Sequence, residues 1–259
     1  MPRHPFGPDD RLLLVSDLHL ADEAGALTEF ALEWILEQAR QQRVSHLWIL
    51  GDLFDAWVGD DQLAHSRCAE QVAAALRTLA PDGVQTALMV GNRDFLIGSA
   101  FVQACQAQLL SEIWSGRLPD GRAAVICHGD QLCLDDADYL RFRTQTRAPE
   151  WQQSFLAQPI DTRLAQARQM REMSESHKAG TPLEMMDIRP AAAEQLVRAH
   201  RAGLLIHGHT HRPGCSPLGH NLERWVLPDW HFTARASERR GGGLLIGQQG
   251  IQSLGLTAC

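Results

Sequence analysis

The sequence predicts a layered α/β fold, and three observations predict it. Five short apolar runs each break off at a glycine or a polar residue, as buried strands do. Between them lie stretches whose apolar residues recur at helical spacing, leaving one face to bury. Hydrophobic residues make up 44% of the 259 and charged residues only 21%, so the chain can bury a sizeable core and is not of the disordered type. Strand alternating with helix implies sheets covered by helices.

In chain order, Leu12 to Val15 is the first predicted strand and runs into Ser16-Asp17-Leu18-His19. Leu27, Phe30, Ala31, Trp34, Ile35 and Gln38 then read as a crossover helix leading to the second strand, His46 to Leu50, which ends on Gly51-Asp52. A helix over His65 to Leu79 precedes the third strand, Thr86 to Val90, which runs into Gly91-Asn92-Arg93-Asp94. Another helix is predicted from Phe101 to Leu110. The fourth strand, Ala123 to Cys127, meets His128-Gly129-Asp130, and the fifth, Leu204 to Ile206, meets His207-Gly208-His209. Gly241-Gly242-Gly243 punctuates a last strand pair near Leu244 to Ile246 and Ile251 to Leu256.

Residues 139–190 interrupt this alternation and read as an inserted helical lid within a single domain spanning 1–259. Trp151, Phe155, Ile160, Leu164, Ala167, Met170 and Met173 step at near-helical spacing, while Pro149, Pro159 and Pro182 cut the stretch into short helices. Arg141, Arg143, Arg147, Arg163, Arg168, Arg171 and Lys178 oppose only Glu150, Asp161, Glu172 and Glu175 from Tyr139 to Gly180. The insert is therefore basic and apolar on a chain whose formal charge is −7. Such a stripe ordinarily packs on a core; its place between the fourth and fifth strand ends is what suggests a lid or substrate wall.

Each of the five strand ends carries a residue able to bind a hard metal ion. Ligands collect at the carboxyl ends of strands in open α/β sheets, so these ends are expected to bring Asp17, His19, Asp52, Asn92, His128, His207 and His209 together. Asp17 and His19 are two apart, as are His207 and His209, and at the end of an extended strand such pairs point to one face and share a metal. The two oxygens of Asp52 suffice to bridge two cations. Singly, an aspartate after a strand is commonly a cap and a histidine a satisfied core group. Together they suit a two-metal hydrolase, with nitrogen and oxygen ligands fit for Mn²⁺, Fe, Co²⁺ or Zn²⁺. His211, Asp94 and Asp130 sit beside the ligands and are expected to orient imidazoles.

The acidic balance, without a basic block, speaks against nucleic acid as partner. Six cysteines lie far apart with no Cys-x-x-Cys pair, which reads as reduced and mostly buried thiols. No uninterrupted apolar run approaches membrane-spanning length, and Met1 to Asp10 has no hydrophobic stretch, so a cytosolic protein without a span is expected.

The series Asp17-x-His19, Gly51-Asp52, Gly91-Asn92-Arg93-Asp94, His128-Gly129-Asp130 and Gly208-His209-Thr210-His211 resembles the calcineurin-like metallophosphoesterase superfamily. Within it, Gly51 to Asp61, Asp135 to Tyr139, Phe142-Arg143 and His207 to Pro213 are similar to the UDP-2,3-diacylglucosamine diphosphatases of lipid A synthesis. That resemblance implies two packed mixed sheets flanked by helices, with a helical lid over two metals, Mn²⁺ by analogy. One metal would take Asp17, His19, Asp52 and His209, the other Asp52, Asn92, His128 and His207.

Many relatives have a histidine after the asparagine to protonate a leaving alkoxide, whereas Arg93 stands here. A guanidinium cannot act as an acid but can clamp phosphate oxygens. That fits a pyrophosphate, whose phosphate leaving group needs charge stabilisation more than a proton. The implied reaction is attack of metal-activated water on the nucleotide-side phosphorus, with Asp52, Asn92 and Arg93 in the catalytic set, releasing UMP and 2,3-diacylglucosamine 1-phosphate. Asn92, Arg93, Asp136, Ser174, Lys178, Thr181 and His207 would hold the head group. Lys178 and Thr181 stand where the family has asparagine and lysine, and the glycine-rich turn is altered to Pro228-Asp229-Trp230.

The substrate's two acyl chains place the expected partner surface at the inner leaflet, on the cytoplasmic face of the inner membrane, with peripheral attachment through the basic insert. The alternatives are another phosphodiesterase or nucleotide pyrophosphatase of the superfamily, or a non-catalytic scaffold of the same fold. Arg93 and the insert speak against the first, and the complete set of seven ligand residues against the second.

Overall fold

The computed structural model describes residues 6–180, 187–233 and 239–255, with the backbone alone for 173–180. Among the described residues, eleven strands form two sheets. The first contains β1 (Leu12–Val15), β2 (His46–Leu50), β3 (Gln85–Met89), β4 (Gln108–Leu109), β10 (Gly242–Gly247) and β11 (Gly250–Gly255), in the order β11-β10-β1-β2-β3-β4. The second contains β5 (Ile113–Arg117), β6 (Ala123–Cys127), β7 (Leu204–His207), β8 (Gly214–Pro217) and β9 (Glu223–Val226), in the order β5-β6-β7-β9-β8. β1, β2 and β3 run parallel, as do β6, β7 and β9, so their carboxyl ends face one edge.

Side chains alternate across each strand, and here both faces are covered. Leu12, Leu14, Trp48, Leu50 and Met89 from the first sheet meet Ala124, Ile126, Leu204 and Ile206 from the second in a core between the sheets. Leu13, Val15, Leu47 and Ile49 turn the other way, onto α1 (Gly25–Gln41) and α2 (Arg67–Arg77). Val125, Cys127 and Leu205 pack against α7 (Pro190–Ala199). Two-sided burial is why these strands read as unbroken apolar runs. The result is the pair of packed mixed sheets flanked by helices that the family resemblance implies, and the strand ends meet from two sheets rather than along one open sheet.

Local chemistry sets the helix boundaries. Ser66 caps α2 by accepting from the Ala69 amide at 3.1 Å, and Asp22 in turn accepts from the Ser66 hydroxyl and the Cys68 amide. Pro149 and Pro190 occupy the first positions of α5 (Pro149–Leu156) and α7. The helix expected over Phe101 to Leu110 is shorter: α3 covers Ser99–Ala104, Gln106 turns left-handed at φ 51°, and the chain then pairs as β4 beside Ala87 and Leu88. β5, β8 and β9, which the sequence pattern did not predict, complete the second sheet.

Between β6 and β7 the chain forms α4 (Ala137–Thr146), α5 and α6 (Ile160–Gly180) before α7. Three of its arginines, Arg143, Arg147 and Arg163, are turned inward, whereas Arg141, Arg168 and Arg171 are exposed. Arg163 is almost wholly buried, donating to the Val58 carbonyl at 2.5 Å, the Gln158 carbonyl at 3.0 Å and both oxygens of Asp61. Arg143 bridges Asp130 and Glu112, Arg147 donates to the Gly91 carbonyl and lies over the Phe95 ring, and Arg171 pairs with Asp55. Phe155 is likewise a core residue, 5% exposed and stacked on Trp151, rather than part of a free apolar stripe.

Arg163 thus fastens α6 to the loop after β2. Arg163→Met strands buried carbonyls without a donor and is expected to lower the unfolding free energy by about 2 kcal/mol. Urea unfolding checks this, and an unchanged midpoint contradicts the fastening role.

Candidate metal centre

Sharp turns, not extended strand ends, bring the polar side chains together. Asp17, His19, Asp52, His209 and His211 all have left-handed backbone, with φ of 54°, 50°, 51°, 64° and 52°. Non-glycine residues adopt this conformation at a cost of roughly 1 kcal/mol or more each, so five at one edge mark a strained cradle. The expectation that Asp17 and His19 share a face because a strand continues through them is corrected: the strand ends at Val15, and the turn aims both side chains inward. Gly91 and Gly208 let the loops close on one another. A Cβ on Gly91 would lie 2.2 Å from Asp52 Oδ1, and one on Gly208 would lie 2.2 Å from Asp17 Oδ2.

Buried Asp94 ties two of these loops together. Its carboxylate accepts from the backbone amides of Gly91 at 2.7 Å, Leu53 at 2.7 Å, Asp52 at 3.3 Å and Phe54 at 3.4 Å. It therefore orients backbone rather than an imidazole, which corrects the sequence expectation. Asp130 holds no imidazole either; it accepts from the Tyr139 hydroxyl at 2.6 Å and from Arg143.

The side chains assemble in two groups. The ligating atoms of Asp17, His19 and His211 lie within 4.8 Å of one another, and so do those of Asp52, His128 and His209. Asp52 stands between them, with Oδ2 3.9 Å from His19 Nε2 and Oδ1 3.5 Å from His128 Nε2. Asn92 Oδ1 lies 3.1 Å from His128 Nε2, and His128 Nδ1 donates to the Leu50 carbonyl at 2.9 Å. His211 enters the first group directly, where the sequence suggested only a supporting role.

His207 departs from expectation. It belongs to neither group, because its Nε2 accepts from Arg224 at 2.8 Å and its Nδ1 donates to the Gly208 carbonyl at 2.8 Å. Asp136 caps α4 by accepting from the Tyr139 amide and does not line the cleft described below. The side chains of Ser174 and Lys178 and the whole of Thr181 lie outside the described residues. Cys127 and Cys133 are buried in the core against α7, where burial raises both thiols and keeps them protonated.

Electrostatics suit a cation here. Burial opposes ionisation of Asp17 and Asp52, yet the surrounding histidines hold both carboxyls below their ordinary range. Burial would likewise depress His128, but Asp52 and Asp17 overcome it and raise the imidazole to about 10. His128 Nε2 thus stands between Asp52 Oδ1, at 3.5 Å, and Asn92 Oδ1, at 3.1 Å, where positive charge is favoured. Burial lowers His209 to about 4 and lowers His19, leaving neutral imidazoles with lone pairs to offer. The donor set fits metal, and two clusters around a shared carboxylate support a dimetal site.

His19, Asp52, Asn92, His209 and His211 line the floor of a cleft of about 1120 Å³. Arg93 lines it, its amide donating to Asp52 Oδ1 at 2.9 Å, and among the described residues its guanidinium has no hydrogen bond or ion pair. Leu164, Ala167, Arg168 and Arg171 of α6 form one wall; Trp230 and Phe232 lie on another.

The model of the calcineurin-like phosphoesterase family matches residues 10–213. A UDP-2,3-diacylglucosamine hydrolase of Chromobacterium violaceum is 42% identical over 245 residues, covering 93% of this chain and 97% of its own. Its counterpart in Bordetella pertussis is 42% identical over 95% of both chains, and that of Cellvibrio japonicus 39% identical over 90% of this chain and 97% of its own.

Because Asp52 faces both groups, Asp52→Ala is expected to abolish binding of both metals while the chain stays folded, and His128→Ala to remove one. Metal content after dialysis, with circular dichroism as the folding control, checks this. Two metals retained per chain in Asp52→Ala would remove Asp52 from the centre.

Proposed function

This chain belongs to the calcineurin-like phosphoesterase family, and from that premise we propose that it hydrolyses the pyrophosphate bond of UDP-2,3-diacylglucosamine with two divalent ions. The observation that carries the reading is Asp52, with one oxygen toward each ligand group, beside Arg93, whose guanidinium has no hydrogen bond or ion pair among the described residues. The names of relatives that are about 40% identical along nearly the whole chain supply the substrate class.

Asp17, His19, Asp52 and His209 would hold one metal, with His211 at its edge, and Asp52, Asn92, His128 and His207 the other. Bound there, the ions, Mn²⁺ in our reading, would supply Lewis acidity to water and to the phosphate. Arg93 has a different task. Its fork of N–H donors clamps the non-bridging phosphate oxygens and offsets charge as the bond breaks. Arg93 has no proton to give at neutral pH, which suits a leaving phosphate and not an alkoxide. Attack at the nucleotide-side phosphorus then yields UMP and 2,3-diacylglucosamine 1-phosphate. Asn92 would fix the same phosphate from the side of His128.

The cleft exceeds the usual span of small-ligand pockets, roughly 300–1,000 Å³, as an amphiphile with two acyl chains requires. Leu164 and Ala167 give its α6 wall an apolar surface, and Arg168 and Arg171 a cationic edge. Leu134, Phe142 and Leu156 are large apolar residues exposed in or beside the insert. They support peripheral contact with the inner leaflet, where the substrate resides; no described helix is long and apolar enough to cross a membrane.

Arg93→Ala should lower turnover at least a hundredfold and leave both metals bound, since the guanidinium serves phosphate. Parallel loss of metal, or turnover within a few-fold of wild type, contradicts the clamp.

The substrate class is tested with Mn²⁺ and a panel of UDP-2,3-diacylglucosamine, UDP-glucosamine, cyclic AMP and bis-nitrophenyl phosphate. The diacyl substrate should be hydrolysed with by far the highest efficiency. Leu164→Asp should cut kcat/KM on it about tenfold or more and spare bis-nitrophenyl phosphate. Equal losses on both would make α6 ordinary packing, and preference for the cyclic nucleotide would overturn the substrate reading.

A further inference from the structure

His207 is wholly buried, and its hydrogen bonds fix where its proton sits. Arginine only donates, so Nε2, 2.8 Å from Arg224 Nε, must accept. Nδ1 then carries the proton and gives it to the Gly208 carbonyl at 2.8 Å. A Cβ on Gly129 would stand 2.8 Å from Nδ1, so this edge of the ring faces the loop that also presents His128. In this tautomer neither nitrogen offers a lone pair to a metal. Ligation through Nε2 would displace Arg224 outright. Ligation through Nδ1 would move the proton to Nε2 and set two N–H groups against each other.

Arg224 has somewhere else to go. It sits on β9, beside β7, and its terminal nitrogen donates to Asp187 Oδ1 at 2.7 Å, while Arg212 holds the other Asp187 oxygen at 2.9 Å. Asp187 can keep the guanidinium when His207 releases it.

We propose that Arg224 is a positioning residue that competes with the second metal for His207, so that the two metals bind in sequence. The position built on Asp17, His19, Asp52 and His209 fills first. The second fills only as Arg224 withdraws onto Asp187 and His207 turns its lone pair to the centre. The sequence features that supplied His207 as a ligand are blind to this, because Arg224 lies 17 positions away on a strand the pattern did not predict.

This inference rests on the dimetal reading, and calorimetric titration of the metal-free protein with Mn²⁺ separates the two. If wild type binds no Mn²⁺ or a single equivalent, the dimetal reading fails. With two equivalents bound, Arg224→Met should tighten the weaker one about tenfold and leave the tighter one unchanged, the release of one charge-assisted hydrogen bond. Asp187→Asn should weaken the same equivalent several-fold, because the guanidinium then rests on His207 alone; it decides the matter if Arg224→Met does not fold. In a His207→Ala background, Arg224→Met should change nothing. An unchanged or weakened second equivalent in folded Arg224→Met, an unchanged one in Asp187→Asn, or an equal tightening without His207 would each overturn the competition.

Discussion

Asp17 and Asp52 are both buried at the edge where two sheets meet, and their paired negative charge is the constraint on which the rest of this structure depends. Two carboxylates removed from water repel each other and lose hydration, so they persist as charges only if cations or many donors surround them. The chain supplies donors in number. The His209 amide bonds both oxygens of Asp17, the Arg93 amide bonds Asp52, and His128 takes a proton that burial alone would strip from it. A divalent ion meets the same demand with more charge in less space. The left-handed turns, the glycines that admit close approach and the Asp94 clamp all hold these two buried carboxylates in place at the base of the cleft.

That constraint also explains why the fold is layered as it is. One open sheet would present its strand ends in a single row. Packing two sheets face to face lets β1, β2 and β3 deliver Asp17, His19, Asp52 and Asn92 while β6 and β7 deliver His128, His209 and His211, so donors converge from both sheets. The inter-sheet core of Leu14, Leu50, Met89, Ile126 and Ile206 lies directly behind the site.

The strand ends, and the convergence of Asp17, His19, Asp52, Asn92, His128 and His209 on one edge, were legible in the sequence, because a run buried on both faces is continuous and stops where the polar turn begins. The backbone of those turns was not legible, since alternation arguments assume an extended chain and cannot foresee φ near +50° at Asp17 or Asp52. Nor could spacing reveal that Asp94 bonds amides 40 or more positions away, or that Arg163 is buried by Asp61, 102 positions earlier. Read locally, Arg163 is one more surface cation; in the fold it fastens the insert. The contacts of His207 and His211 were hidden for the same reason: Arg224, on a strand the pattern did not predict, donates to the His207 ring, and Asp229 lies 3.5 Å from the His211 ring.

The central claim is that Asp52 bridges two metals held by this chain. Low-temperature electron paramagnetic resonance of the Mn²⁺-loaded protein tests it most directly, because two Mn²⁺ ions sharing a carboxylate couple magnetically. The account predicts the spectrum of an exchange-coupled pair, reverting to that of isolated ions at substoichiometric loading. Isolated-ion signals persisting at full loading would contradict a shared bridge and with it the dimetal account.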